Sequence, residues 1–254
     1  SASGRVAICV LPFANMSGDP EQEYFSDGIT EDIITDLSKV SSLAVISRNS
    51  AFVFKGRHVD VPKVARELNV THVLEGSVRK AGGRVRITAQ LVEAASNDHL
   101  WAERYDRELQ DIFALQDEIS TAIVKALRLR LLPAEKRAIE QRGTDNVEAY
   151  NLYLMARQLY LDGNEGDSRR SHAVVRLCAR ATEIDPAYAR AWALLALGEQ
   201  LGRFAAGTSS DGGMAAAERA LSLDGGLAEA HAVKATILAG DGRQAPDIAR
   251  VALA

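Results

Sequence analysis

The sequence predicts an α/β domain with a mixed sheet, in the order β-α-β-α-β-β-β-α, followed by an all-α domain of helical repeats. Three observations carry that expectation. The stretch Val70–Arg107 contains three strand-like runs joined by two turns. The run Arg5–Phe13 (RVAICVLPF) is apolar almost throughout, as a central strand covered on both faces should be. Beyond about Pro133 the strand signals stop, Ala and Leu dominate, and a helix-pair pattern returns 39 positions on, from Pro186 to Gly225.

In chain order, Ser1-Ala2-Ser3-Gly4 reads as an expression remnant and is set aside. Pro12 ends the first strand, because it cannot donate to a ladder. Asp19-Pro20-Glu21-Gln22 then gives a helix start: a carboxylate at the N-cap, proline in the first turn and Gln at the third position. Phe25, Ile29, Ile33 and Leu37 recur every four residues as one apolar stripe. Leu43–Ser47 is a second short strand, and Asp60, Pro62 and the Val61/Val64/Ala65/Leu68 stripe mark a short helix. Along Arg84–Glu93 the alternation is strict: Val85, Ile87, Ala89 and Leu91 face one way, Arg84, Arg86, Thr88 and Gln90 the other. Ala81-Gly82-Gly83 before that strand and Ser96-Asn97-Asp98 after it supply turns, so an antiparallel meander follows. An amphipathic helix from Asp111 to Leu132 is expected to close the first domain, residues 5–132, and to link it rigidly to the second, residues 133–254.

Composition removes several function classes. Residues 1–107 carry 13 basic and 14 acidic side chains and residues 108–254 carry 17 and 20, so neither half has the basic excess that nucleic-acid binding requires. No apolar run reaches the 18 or so residues of a membrane span. Cys9 and Cys178 lie far apart and read as buried thiols, not as a disulfide framework. No phosphate-cradling glycine motif and no Ser elbow occurs, since Gly76-Ser77-Val78-Arg79 lacks the flanking glycines in register. Five histidines (58, 72, 99, 172 and 231) are scattered without metal spacing. No catalytic residue, metal or cofactor is therefore expected.

The helical half resembles the tetratricopeptide repeat. Ala181-Thr-Glu-Ile-Asp-Pro186 closes one helix pair and Ala220-Leu-Ser-Leu-Asp-Gly225 the next. Six residues after Pro186 stands Trp192, then Leu195 and Ala196; six after Gly225 stands His231, then Lys234 and Ala235. Gly225 in place of the closing proline, Cys178 in place of an aromatic and Glu199 in place of a tyrosine depart from the pattern. Two pairs, Val147–Pro186 and Tyr188–Gly225, and a shortened third, Leu227–Ala254, are expected, which predicts a missing capping repeat or a truncated end.

The first half resembles a bacterial domain related to the amino-terminal domain of TolB and to the flagellar protein FlgO. The matching phrases are Val10-Leu-Pro-Phe13, Ser17-Gly-Asp-Pro-Glu-Gln-Glu-Tyr-Phe25, Asp27-Gly-Ile-Thr-Glu-Asp32, Leu74-Glu-Gly-Ser-Val78 and Leu100-Trp-Ala-Glu-Arg-Tyr-Asp106. The resemblance implies an α/β domain placed before tetratricopeptide repeats, downstream of a class III adenylate/guanylate cyclase domain or a CadC-like winged-helix domain. It implies a bacterial signalling protein.

Four features merit weighing as sites. Asp19, Glu21, Glu23, Asp27, Glu31, Asp32 and Asp36 form an acidic stretch with no Lys or Arg. Its spacing is not that of a calcium loop, and it reads as a solvated helix face complementing the helix dipole. Arg48, Asn49, Lys55 and Arg57 follow a strand, where α/β sheets place ligands, and are the candidate anion or small-ligand residues. His72 with Glu75, and Glu103 with Asp106, read as cross-strand surface pairs. Trp101 and Tyr105 read as covered by the closing helix.

The expected role is a non-catalytic regulatory and protein-interaction module, the sensor or adaptor region of a signalling protein. A protein or peptide partner would enter a groove of the helical repeats at Tyr153, Arg157, Glu199 and Arg203, and two copies would pair through an uncapped end. A small-ligand sensor at 48–57 is the alternative. The expected compartment is the cytoplasm, or the periplasm should a membrane span lie upstream.

Overall fold

The computed structural model describes residues 6–57, 60–140, 143–162, 168–206 and 212–240. The chain divides into two units, Ser1–Arg142 and Gly143–Ala254.

The first unit is organised on strand β1, Val6–Val10, whose Ile8, Cys9 and Val10 are fully buried. Apolar side chains on both sides of the pleat demand cover on both sides. β3 (Leu43–Val45) and β4 (His72–Ala81) flank β1 in parallel, and the two-residue β2 (Ala14–Asn15) pairs with β4 beyond it. β4, β5 (Arg84–Glu93) and β6 (Asp98–Glu108) then run antiparallel, giving the order β3-β1-β4-β5-β6. Gly82 (φ 58°) and Asn97 (φ 60°) take left-handed conformations in the two hairpin turns, which is why those sites carry Gly and Asn.

One face of the sheet carries α1, Glu23–Ser38, with Phe25, Ile29, Ile33 and Leu37 fully buried. Beside it lies α4, Ile112–Ala126, which packs on β5 and β6. Val85, Ile87, Ala89 and Leu91 of β5 are fully buried, as the alternation requires, and each buried Ile or Leu contributes about 2 kcal/mol. Gly76 of β4 makes room for Phe13: a Cβ there would stand 2.6 Å from two ring carbons of Phe13 and 2.7 Å from the backbone oxygen of Thr88. The opposite face carries α2 (Arg48–Phe52) and α3 (Val61–Leu68), which bury Ala51, Val61, Val64 and Ala65 against Cys9, Val73 and Val92. That cover reaches β5 only at Val92, and toward the other end of the strand Arg84, Arg86 and Thr88 are exposed on this side.

The closing helix is shorter than its periodicity suggests. It ends at Ala126 instead of Leu132, because Arg128 turns left-handed (φ 55°). The Leu129 and Arg128 amides donate to the carbonyls of Val124 (3.1 Å) and Lys125 (2.9 Å), which is the Schellman arrangement. A separate helix, α5 (Pro133–Glu140), packs on α1 and α4. Glu135 fixes it by accepting from the Ser41 amide (2.9 Å) and hydroxyl (2.6 Å) and from the Leu132 amide (2.8 Å). The expected rigid rod from 111 to 132 is thus one shorter helix with a capped end, followed by a separate helix.

The second unit has helices and no strand among its described residues: α6 (Val147–Leu161), α7 (Ser168–Ile184), α8 (Ala189–Ala206), α9 (Met214–Leu223) and α10 (Ala228–Gly240). Each helix packs on the next, and α8 also touches α6 and α10. Gly198 permits the close approach of α8 to α7, since a Cβ there would lie 3.1 Å from methyls of Val174 and Val175. Of the expected third pair, residues 241–254 lie outside the described residues.

Candidate functional site

The acidic stretch and the basic candidates meet. Glu23, Asp27 and Glu31 fall four residues apart on α1, so they line one stripe of the helix. Ser47 accepts from the Ser50 amide and starts α2, a helix where the sequence suggested only a loop, and this sets Arg48 against α1. The Arg48 guanidinium pairs with Glu31 and lies 4.0 Å from the Phe52 ring centroid. Lys55 Nζ reaches Asp27 Oδ2 (2.5 Å) and Glu23 Oε1 (3.0 Å). Asn49 and Arg57 are exposed and face none of these groups through any described hydrogen bond.

Burial decides the electrostatics of this seam. Asp27, Glu31 and Asp36 are buried, which overturns the reading of the stretch as a solvated face. Asp27 Oδ1 has no hydrogen-bond partner among the described residues. Loss of water pushes the Asp27 carboxyl above its ordinary value, although Lys55 pulls the other way. For Lys55 burial acts to lower the value, but the Asp27 and Glu23 carboxylates outweigh it and the ammonium titrates above the usual lysine range. On the other flank of α1, Gln116 of α4 donates to Asp32 (2.9 Å), and Asp36 accepts from Lys39 (2.9 Å) and Ser120 (3.3 Å). Burial raises the Asp36 carboxyl to about 6. Asp19 caps the short 3₁₀ turn at Pro20–Gln22 by accepting from the Glu21 amide at 2.9 Å.

The i, i+4 stripe of carboxylates and two cations seven residues apart were visible as spacings. What the spacings lack is the strand crossing that sets one group against the other. The seam is an ion-paired clamp in which three carboxylates of α1 face Arg48 of α2 and Lys55 just beyond it.

Other candidates resolve as structural groups. Glu75 accepts from Gln90 (3.0 Å) and His72 shares a hydrogen bond with Thr71 (2.8 Å). Glu103 and Asp106 point to opposite faces of β6: Glu103 accepts from the Tyr105 hydroxyl (2.5 Å), while Asp106 pairs with Arg84 and Arg86. Tyr105 is buried beneath α4 and Trp101 is half-buried. Cys9 is sealed in β1, and its thiol is pushed up to about 12 by burial, so it is no nucleophile at neutral pH. Among the described residues no three His, Cys, Asp or Glu side chains are placed to hold a metal ion. No described helix is long and apolar enough to cross a membrane.

In the second unit the inter-helix turns recur atom for atom. Asn146, Asp185 and Asp224 stand at equal intervals, and each side-chain Oδ1 accepts from the amide two residues on, that of Glu148, Ala187 or Gly226, at 3.0 Å. The next turn of chain repeats too: Trp192 Nε1 donates to the Pro186 carbonyl (3.0 Å), and His231 Nε2 meets the Gly225 carbonyl (2.8 Å). Thr144 donates to Asp185 Oδ2 at 2.5 Å, joining one turn to the next. The groove candidates lie within this frame. Tyr153 is buried, 5.2 Å from the Tyr188 ring centroid, with the Arg190 guanidinium 5.2 Å over its face. Arg157 lies 3.5 Å from the Tyr153 hydroxyl, and Glu199 is half-buried on α8. The side chain of Arg203 lies outside the described residues.

Known proteins share parts of this chain. "Putative adenylate cyclase 3" of Rhizobium meliloti (strain 1021) is 54% identical over 193 residues, 76% of this chain and 32% of that protein. The chain therefore spans about a third of the relative's length, and the aligned stretch exceeds either unit, so the similarity runs through both. Among solved structures, TolB from Acinetobacter baumannii shares 18% identity at a TM-score of 0.38, covering 48% of this chain and 28% of its own. Lipoprotein GNA1162 from Neisseria meningitidis shares 20% at 0.36, covering 50% and 99%. At TM-scores this low neither likeness bears on function. Residues 4–122, within the first unit, match the model of the second domain of HilA/YgeH-like transcriptional regulators.

Proposed function

We propose that the chain is the non-catalytic regulatory and protein-interaction region of a bacterial signalling protein whose output domain is an adenylate cyclase. The observation that carries this is the 54% identity to a protein named as an adenylate cyclase, running through both units. The match of residues 4–122 to a regulator's domain supports the regulatory half of the reading. The recurring turns at Asn146, Asp185 and Asp224 support a stack of tetratricopeptide-type helix pairs, which offers a partner peptide a concave helical surface. An anion pocket at 48–57 is the weaker reading, because Arg48 and Lys55 spend their charge on Glu31, Asp27 and Glu23.

The test compares a cyclase-bearing protein with and without this region, alongside the 254-residue chain alone. The chain alone makes no cyclic AMP from ATP, while its removal from the longer protein changes how output responds to the cell's stimuli and leaves cyclase chemistry intact. Cyclic AMP formation by the isolated chain, or an output indifferent to its removal, defeats the proposal.

A further inference from the structure

On the face of the sheet opposite α1 and α4, the cover given by α2 and α3 reaches β5 only at its Val92 end. On the open remainder the register lines up an unusual set of side chains. Arg79 of β4 stands directly opposite Arg86 of β5, and Arg86 opposite Asp106 of β6. One step along the strands, Ser77, Thr88 and Arg104 form the next row, and Arg84 faces Glu108 in the row at the hairpin end.

The carboxylates here are already committed. Asp106 takes Arg84 (2.6 Å) and Arg86 (2.5 Å), and Glu108 takes Arg84 (2.9 Å). Arg79 and Arg104 are exposed and have no carboxylate partner among the described residues. Like charges directly across two strands oppose pairing; Asp106 answers Arg86, while no described ion pair answers Arg79. Two strand spacings and one two-residue step put the Cβ atoms of Arg79 and Arg104 about 12 Å apart. That span suits two carboxylates on one side of an extended chain. The outer edge of β6 is a poorer docking place, since a register shift at Leu91/Val92 and a row of its own charges guard it.

We propose that the open face of the β-meander is a docking surface for an acidic, extended protein segment, with Arg79 and Arg104 as the two guanidiniums that receive its carboxylates. Charge complementarity selects the partner. The four guanidiniums of the face, Arg79, Arg84, Arg86 and Arg104, outnumber its carboxylates Glu75, Asp106 and Glu108 and attract an acidic chain, while Asp106 and Glu108 in the same rows repel a continuous polyanion, and these rows carry no Phe, Tyr or Trp to stack bases. The proposal rests on residues of the first unit alone and stands whether or not the helical unit binds a peptide.

The test titrates the 254-residue chain into a fluorescein-labelled extended peptide whose glutamates are spaced by serines, at low salt, and reads anisotropy. The pair Arg79→Ser/Arg104→Ser is compared with Lys125→Ser/Arg137→Ser, which removes equal charge from exposed sites on α4 and α5. Binding weakens about tenfold in the first pair and less than about twofold in the second. Amide signals of β4–β6 shift on binding, and unchanged melting temperatures show that both variants fold. Equal weakening in the two pairs, no binding, or tighter capture of a single-stranded oligonucleotide through the same arginines each overturns the proposal.

Discussion

Replacing Gly76 by Ala tests the packing of β4 against the segment that leads into α1. The new methyl would sit 2.6 Å from Cε2 and Cζ of Phe13 and 2.7 Å from the Thr88 oxygen, where ordinary contact begins near 3.4 Å. The ring must move by most of an ångström, yet Phe13 is buried and its amide is tied to the Thr30 hydroxyl at 3.0 Å. The Thr88 oxygen belongs to the ladder and cannot swing away. The cost falls at the upper end of the overpacking range, about 3 kcal/mol, which in a unit of 142 residues lowers the melting temperature by about 10 °C. Phe13→Ala alone costs about 3 to 4 kcal/mol through the cavity it leaves. In the double variant the ring clash is gone and only the carbonyl clash remains, so the total is about 5 kcal/mol, less than the sum. Urea unfolding of the four proteins measures the cycle. A loss below about 1 kcal/mol for Gly76→Ala, or additivity to within about 0.5 kcal/mol, refutes the packing argument.

Three further perturbations follow from named contacts. The Asp36 carboxyl titrates near 6 because burial disfavours its charge, with Lys39 opposing and Asp32 and Asp117 adding to the rise. Its contribution is therefore complete below its ordinary value near 3.8 and is lost as pH rises through about 6, so Asp36→Asn should stabilise the protein at pH 7.5 by up to about 3 kcal/mol and flatten the calorimetric pH profile between 4 and 7; an equal loss of melting temperature at both ends would contradict it. Lys55→Met strands the buried Asp27 and costs about 2 kcal/mol in urea unfolding, a figure reduced because Lys55 is partly exposed, and adding Asp27→Asn restores about half; no restoration speaks against the clamp. At Gly198 the helix gain of Ala, about 1 kcal/mol, offsets the pressure on Val174 and Val175, so Gly198→Ala is near neutral while Gly198→Leu lowers the melting of the second unit by several degrees; equal effects would show that the α7–α8 approach is not tight.

The parts of the fold legible in the sequence are those written locally. The alternation of Val85, Ile87, Ala89 and Leu91 announces the meander, and the recurrence of Asp-Pro and Asp-Gly announces the helix pairs. The break after Ala126 was hidden, because Arg128 takes a conformation that Gly or Asn would have advertised. α2 was hidden by its length, too short to show a period. The burial of Asp27 and Glu31 was illegible for a different reason. Their apparent solvation depended on which element crosses above α1, and only the parallel order β3-β1-β4 places Arg48 and Lys55 there.

The repeated turn at Asn146, Asp185 and Asp224 has a consequence for how such a chain can grow. Because each joint uses one Asx side chain and the amide two residues later, every joint accepts the same incoming module. A whole period could be spliced in after Asp185 or removed there, and the junction would close on hydrogen bonds it already makes. Length in the helical unit can thus change in steps of one such interval, whereas the similar turns of the sheet-bearing unit, at Asn15 and Asp19, stand only four residues apart.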